Sequence, residues 1–337
     1  MSDYSGDYVL ELRDLHVYFH TLGGRVHAVR GVDLEVRPGE TLGLVGETGC
    51  GKSATASALM GLIAEPPGEV LASRLHFRGK DLLAGAASGR DRLRRLSATA
   101  VAEVRGGGIS MIFQDPSAAL NPVFSVVDPI RAVLRHHLML DAPRAQTRAL
   151  EWLAHVGLPD PEAVAGKYPH QLSGGMKQRV AIAMALAPEP ALVLADEPTT
   201  ALDVTVQAQV LALLRGLQEE TRIGLLFITH DLGIVAEMCH RVAVMYAGRV
   251  VEEAPVKELF EAPRHPYTRG LFAARPTLHG GRERLAAIPG AVPPPSAIPS
   301  GCPFHPRCPR AQAKCAAQMP VLEGDPHRAA CFFPVTS

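Results

Sequence analysis

The chain has 337 residues, 47% of them hydrophobic and 20% charged, with 34 basic residues balanced by 34 acidic ones. That composition excludes a predominantly disordered chain and suffices for one large domain or two ordinary ones; zero net charge argues against a protein that holds nucleic acid mainly by neutralising phosphates. No uninterrupted run of about 18 apolar residues is present to span a bilayer, and the opening residues carry acids where a signal peptide needs a basic and then an apolar run, so a soluble cytosolic chain is expected.

Strand patterns open the chain at Val9–Leu12 and Leu15–Phe19, followed by a turn at Leu22–Arg25 and a second pair of strands, Val26–Val29 and Val32–Val36. Arg37-Pro38-Gly39-Glu40 is a turn signal, and Thr41–Val45 is a bare apolar run read as a buried strand. Between 70 and 110 the pattern is ambiguous. Arg74–Phe77 is strand-like, an Ala/Gly/Ser loop runs near 84–90, and the basic stretch Arg90–Arg95 is expected to be the solvated face of a helix. Ile109–Phe113 reads as another buried strand, Val126–Val156 as helical, and Arg179–Leu186 as a small-residue helix stopped by Pro188. Ala191–Ala195 and Gly224–Ile228 are bare apolar runs separated by the helical stretch Val204–Glu220, and Val242–Val251 reads as a hairpin around Ala247-Gly248. Strands alternating with helices predict an α/β fold with a parallel sheet covered on both faces. Beyond about residue 258 the composition shifts to Pro, His and Cys, with Pro293–Pro295 as an extended linker.

Gly46-Glu47-Thr48-Gly49-Cys50-Gly51-Lys52-Ser53 fits the P-loop pattern G-x-x-x-x-G-K-[ST] and follows a predicted strand directly. Glycines let backbone N–H groups turn inward onto phosphate, and the helix that follows adds its positive N-terminus. Lys52 then reaches the β- and γ-phosphates, and the Ser53 hydroxyl binds Mg²⁺. By background residue usage the pattern arises by chance in roughly one chain per hundred of this size, so its strand context matters. Downstream, Ala191-Leu192-Val193-Leu194-Ala195-Asp196-Glu197 is an apolar strand ending in two carboxylates, delivered to the edge of the sheet where ligands of such folds bind. Asp196 suits the outer shell of Mg²⁺, and Glu197 suits the general base or positioner of the attacking water.

Between these lies Leu172-Ser173-Gly174-Gly175, a second anion nest at a helix start. Alone it would be no more than a capped helix; with the P-loop it resembles the nucleotide-binding subunits of ABC transporters. The resemblance implies that Ser173, Gly174 and Gly175 close on the γ-phosphate of ATP held by an opposite subunit. It further identifies Gln114 as the Q-loop glutamine that touches Mg²⁺, Ala201-Leu202-Asp203 as the D-loop at the dimer interface, and His230 as the switch histidine. Phe19, or Tyr18 beside it, falls where the family stacks an aromatic on adenine. Gln114-Asp115-Pro116, Leu120-Asn121-Pro122, the run Asp196–Thr205, His265-Pro266-Tyr267-Thr268, Ile288-Pro289-Gly290 and Gly301–Pro309 narrow it: together they are similar to the dipeptide/oligopeptide importer subfamily, which includes nickel importers.

Cys50 and Cys239 read as inert fillers, Cys50 with some scope for redox chemistry beside phosphate. Cys302, Cys308, Cys315 and Cys331 crowd into the tail with five, six and fifteen residues between them. In a cytosolic chain such clustering favours a metal over disulfides, with His305 and His327 as alternative ligands. Similar tails in the subfamily are associated with a [4Fe–4S] cluster, and the expectation is a small metal-stapled appendix.

The whole implies a P-loop ABC ATPase core with an antiparallel β subdomain over residues 1–258, a helical subdomain at about 115–185, and a Cys-rich extension over 259–337. Its expected cofactors are ATP, Mg²⁺ and the cluster. Its expected partners are a second ABC ATPase subunit (a paralogue), two transmembrane permease subunits and an extracytoplasmic substrate-binding protein, at the cytoplasmic face of the membrane. A soluble ABC ATPase of DNA repair or ribosomes is the rival, disfavoured by the lack of tandem cassettes or long coiled-coil insertions. A regulatory module with a vestigial ATPase is disfavoured because every catalytic landmark is intact.

Overall fold

Leu10, Leu12, Leu15 and Val17 are all buried, yet they change parity between Leu12 and Leu15, which an unbroken period of two forbids. The computed structural model, which describes residues 6–85, 93–200, 202–274 and 288–335, resolves this with a bulge. Leu10–Thr21 is one strand whose register slips between Leu12 and Leu15, where Asp14 takes φ +52, so both apolar sets face the same core. Its partner Gly24–Val36 makes the matching change at Gly31, φ +77, between buried Val29 and Val32. Each expected pair of short strands is therefore one long, bent strand. The strands Gly68–Ala72 and Arg74–Phe77 complete most of this antiparallel sheet.

The second sheet runs Arg328–Ala329, Arg249–Pro255, Arg241–Tyr246, Thr41–Val45, Gly224–Thr229, Leu192–Asp196, Ile109–Ile112 in spatial order. The last five are mutually parallel; Arg249–Pro255 and Arg328–Ala329 are added antiparallel. Bare apolar runs suit this position because both faces are covered. Leu192, Leu194, Leu226 and Ile228 join the core shared with the antiparallel sheet. The alternate residues Val193, Ala195, Leu225 and Phe227 join the core shared with the helices.

The helical stretch expected over 126–156 is two helices, Val127–His137 and Ala142–His155. Met139 at φ +53 takes the chain out of the first. Asp141 caps the second by accepting the Arg144 N–H at 2.9 Å, with Pro143 in its first turn. Where the basic stretch is described, at 93–95, it is not a helix face. Arg94–Arg95 is a short strand paired with Gly68–Ala72, because its guanidinium groups have carboxylates across the sheet: Arg95 meets Glu65 and Glu69, each at 3.0 Å, and Arg94 meets Asp81 at 2.8 Å. Residues 90–92 and most of the 84–90 loop lie outside the described residues.

The C-terminal extension is no free appendix. Tyr267, Cys302, Phe304 and Cys315 belong to the same hydrophobic cluster as the helices and the parallel sheet, and Val292 and Ile298, flanking Pro293–Pro295, pack on it. Arg328–Ala329 extends the parallel sheet's antiparallel edge. Buried Glu252 ties the extension down: its carboxylate accepts the backbone N–H groups of Arg264 and His265 at 2.5 and 2.9 Å and bonds His327 Nε2 at 2.6 Å.

Candidate active site

Residues 46–51 join the strand Thr41–Val45 to the helix Lys52–Leu59. Two of their glycines are demanded by geometry. At Gly46 (φ +155) a Cβ would lie 2.2 Å from the Met245 carbonyl oxygen, and at Gly51 (φ +107) one would lie 2.8 Å from that of Ala28. The loop curls round its own lysine: Lys52 Nζ donates to the carbonyls of Gly46 at 2.7 Å and Glu47 at 3.2 Å. Cys50 Sγ is 3.8 Å from the same ammonium, fully buried, and burial pushes its thiol pKa up. Burial does the same to Cys239, up to about 12. Burial with a raised pKa favours the protonated thiol at both positions and counts against the redox chemistry expected of Cys50.

Asp196 ends the strand Leu192–Asp196 and accepts a hydrogen bond from Ser53 Oγ at 3.2 Å. Burial and then the neighbouring Glu197 charge raise its pKa against the opposing pull of Ser53 and Lys52, as befits a carboxylate that lacks a full counter-charge. Glu197 takes φ +47, a left-handed conformation that costs a non-glycine residue about 1 kcal/mol. That turn aims its carboxylate at three donors: Thr200 Oγ1 at 2.9 Å, Gln114 Nε2 at 3.1 Å and His230 Nδ1 at 3.1 Å. Burial pushes the Glu197 pKa up, but the bonds from His230 and Thr200 outweigh it and leave the group below its ordinary value. An ionised carboxylate accepts only, so His230 presents Nδ1–H to it and turns Nε2 outward.

Thr48, Gly49, Gly51, Lys52, Ser53, Gln114, Glu197 and His230 line one cleft of about 520 Å³, so four separated stretches of sequence meet at the carboxyl edge of the parallel sheet. Thr200 and Ala28 line it too and were missed. Thr200 stands three residues past Glu197, which is the spacing of a turn whose hydroxyl folds back. Glu47 supplies its carbonyl to Lys52, but its carboxylate points the other way, to Arg307. Phe19 is half-buried on the antiparallel sheet's core. Tyr18 is sandwiched with His27 (centroids 4.0 Å apart) under the Arg25 guanidinium. Neither ring lines the cleft.

Ser173, Gly174, Gly175 and Asp203 form a second, separate group. Ser173 caps the helix Gly174–Leu186 by accepting the Met176 N–H at 3.3 Å, and Asp203 caps Val204–Thr221 by accepting the Val206 N–H at 3.0 Å. The two helix starts touch: a Cβ on Gly175 would lie 2.5 Å from Val206 Cγ1. Leu202 stands beside Gly174, and Ala201 lies outside the described residues.

Cys302, Cys308, Cys315 and Cys331 are free thiols on the wall of one narrow cavity, together with His305. Among the described residues no three His, Cys, Asp or Glu side chains are grouped to hold one metal ion; the expected metal centre is not formed by close convergence of these groups, which share a cavity instead. Burial pushes Cys302 up to about 11, with the other three thiols adding to the rise. His327 is not part of the set, since Glu252 engages it.

Residues 29–200 match the family described as ABC transporter, and residues 251–315 match the oligopeptide/dipeptide transporter C-terminal region. The chain is 44% identical over 326 residues to the dipeptide transport ATP-binding protein DppD of Bacillus subtilis, covering 96% of this chain and 94% of the relative. It is 50% identical over 297 residues to the oligopeptide transport ATP-binding protein OppD of the same organism, covering 88% and 80%. Among solved structures it resembles the dimeric ATP-binding cassette MJ0796 bound to ADP and Pi, with TM-score 0.59 and 26% identity over 73% of this chain and 98% of that one. CbiO1 of Clostridium perfringens, part of the transporter complex cbiONQ, is similar at TM-score 0.61 and 29% identity over 76% and 92%. With its P-loop, its paired strand-end carboxylates and its second helix-start nest on that fold, the chain belongs to the ABC transporter family.

Proposed function

We propose that this chain is the ATP-hydrolysing subunit of an importer of di- or oligopeptides. The observation that carries the reading is the convergence of Lys52, Ser53, Gln114, Glu197 and His230 on one cleft, with buried Asp196 bonded to Ser53 behind it; the names of the Bacillus relatives support peptide as the cargo. Residues 1–258 are the nucleotide-binding domain, with the helical subdomain at about 115–185, and 259–337 the extension. Lys52 exchanges the carbonyls of Gly46 and Glu47 for phosphate oxygens, and the loop's N–H groups take the remaining phosphate charge. Ser53, Asp196 and Gln114 are suited to hold Mg²⁺, which supplies charge neutralisation on the phosphates; the raised Asp196 pKa fits a carboxylate placed for a cation. Glu197 orients the attacking water and takes its proton as the oxygen bonds to the γ-phosphorus and ADP leaves. His230, held by Glu197 through Nδ1, offers Nε2 to the γ-phosphate.

The nest at Ser173, Gly174 and Gly175 lies outside the chain's own cleft, so it serves ATP held by a second ABC ATPase subunit, a paralogue in our reading, with Asp203 at the joint. The dimeric neighbour supports this arrangement. Two permease subunits and an extracytoplasmic binding protein complete the assembly at the cytoplasmic face of the membrane; no helix among the described residues is long and apolar enough to cross it. The reading is tested by titrating the purified full chain with Mg-ATP: Lys52→Ala weakens binding at least tenfold, and undiminished binding by the variant overturns the assignment.

For the four cysteines we infer a [4Fe–4S] cluster held by Cys302, Cys308, Cys315 and Cys331, stapling the extension. Four thiols on one cavity support it, because four cysteine thiolates would complete the ligand set of such a cluster. Anaerobically purified protein then carries about four irons per chain with broad absorbance near 400 nm, both lost in Cys315→Ser. One zinc per chain, or no metal in folded protein, contradicts it.

A further inference from the structure

Arg307 belongs to the short turn His305–Arg307 in the extension, yet its guanidinium reaches the P-loop. Nη1 donates to Glu47 Oε2 at 2.9 Å and Nη2 to Oε1 at 3.2 Å, a two-pronged pairing. Its other contacts are also made: Nε donates to the Pro289 carbonyl at 2.9 Å, Nη1 to the Tyr246 hydroxyl at 3.3 Å and Nη2 to the Ile288 carbonyl at 3.4 Å. The side chain is only 6% exposed, so the fork is fixed. Buried Tyr267, also from the extension, accepts the Glu47 backbone N–H at 2.9 Å.

Glu47 is thus gripped through both its side chain and its backbone, while its carbonyl carries Lys52 Nζ. A carboxylate in the second position of a phosphate-binding loop is a liability, since it repels the triphosphate the loop must accept. The fork neutralises that charge and turns it away from the cleft.

We propose that Arg307 is a positioning residue of the nucleotide site: the C-terminal extension, through Arg307 and Tyr267, neutralises and orients Glu47 so that the P-loop accepts the phosphates of ATP. The proposal rests on the ATPase reading above. It explains why the extension packs into the main core instead of hanging from it.

The test is ATP affinity of the full chain, followed with a fluorescent ATP analogue, alongside KM and kcat for hydrolysis in the assembled transporter. In Arg307→Ala the unpaired Glu47 raises the dissociation constant and KM roughly tenfold, while kcat at saturating ATP changes less than about twofold. Arg307→Lys keeps the charge but loses the fork and falls between. Arg307→Ala combined with Glu47→Gln removes the repelling charge and returns the affinity to within about threefold of wild type. A merely structural Arg307 gives a double variant no better than the single one, and that result, or unchanged affinity in Arg307→Ala, overturns the proposal. Lys52→Ala run in parallel separates the two failures: if it also binds ATP normally, the P-loop assignment is what has failed; if it loses binding while the Arg307 series stays flat, only the clasp is refuted.

Discussion

Replacing Glu197 by Gln lowers the rate of ATP hydrolysis about 10²–10⁴-fold, the range lost with a positioned general base, and leaves ATP affinity within about twofold. The amide preserves size: its oxygen still accepts from His230, and its NH₂ takes the place of the oxygen beside Thr200, whose hydroxyl turns to accept, so the site keeps its shape while losing the group proposed to take the water's proton. Gln114 must turn its own amide to avoid facing a second NH₂, which its half of the pair can do. The expected signature is a fall in kcat with KM barely moved, an interaction present only in the transition state. Phosphate release under multiple-turnover conditions reads it. A variant that hydrolyses at the wild-type rate removes Glu197 from the chemistry, and one that fails to bind ATP shows that the carboxylate shapes the site instead.

Glu252→Ala destabilises the folded chain by about 3–5 kcal/mol, the cost of breaking a buried, hydrogen-bonded carboxylate site from one side. The truncation leaves the N–H groups of Arg264 and His265 and the His327 ring without their acceptor. All three lie in the extension, two near its start and one beside the edge strand Arg328–Ala329, so the loss concentrates there. Thermal unfolding of the full chain drops by several degrees, and the thiols of Cys302 and Cys315, buried in the folded chain, become titratable by a thiol reagent at lower temperature. Glu252→Gln keeps an acceptor oxygen and loses less. An unchanged melting temperature with protected thiols shows that the extension is held by its apolar contacts alone.

The parallel sheet and the cleft at its edge were readable from sequence because their signals are local. Thr41–Val45 and its neighbours are largely apolar runs; Asp196, Glu197 and His230 each sit at or just past the end of one, and Lys52 closes the glycine-rich loop that follows Val45. Other features were hidden by information that sequence periodicity does not carry. The bulges at Asp14 and Gly31 split two long strands into apparent pairs, since each shifts the apolar parity by one. The break at 139–141 interrupts a pattern whose three-and-four spacing continues across it. Arg94–Arg95 looked like a solvated face because its acidic partners are remote in sequence: Glu69 and Asp81 come from other strands and Glu65 from the turn before Gly68–Ala72. The grip on Glu47 was least visible of all: Tyr267 and Arg307 stand 220 and 260 residues away in sequence, and no local pattern links either to the P-loop.

The central claim, that this cleft drives peptide import, is tested most directly by uptake of a labelled di- or oligopeptide through the assembled transporter containing either the wild-type chain or Glu197→Gln. The account predicts ATP-dependent accumulation of peptide with the wild-type chain and none with the variant, although the variant still assembles and binds ATP. Undiminished peptide accumulation with Glu197→Gln, or accumulation of nickel and not peptide by the wild-type complex, would contradict it.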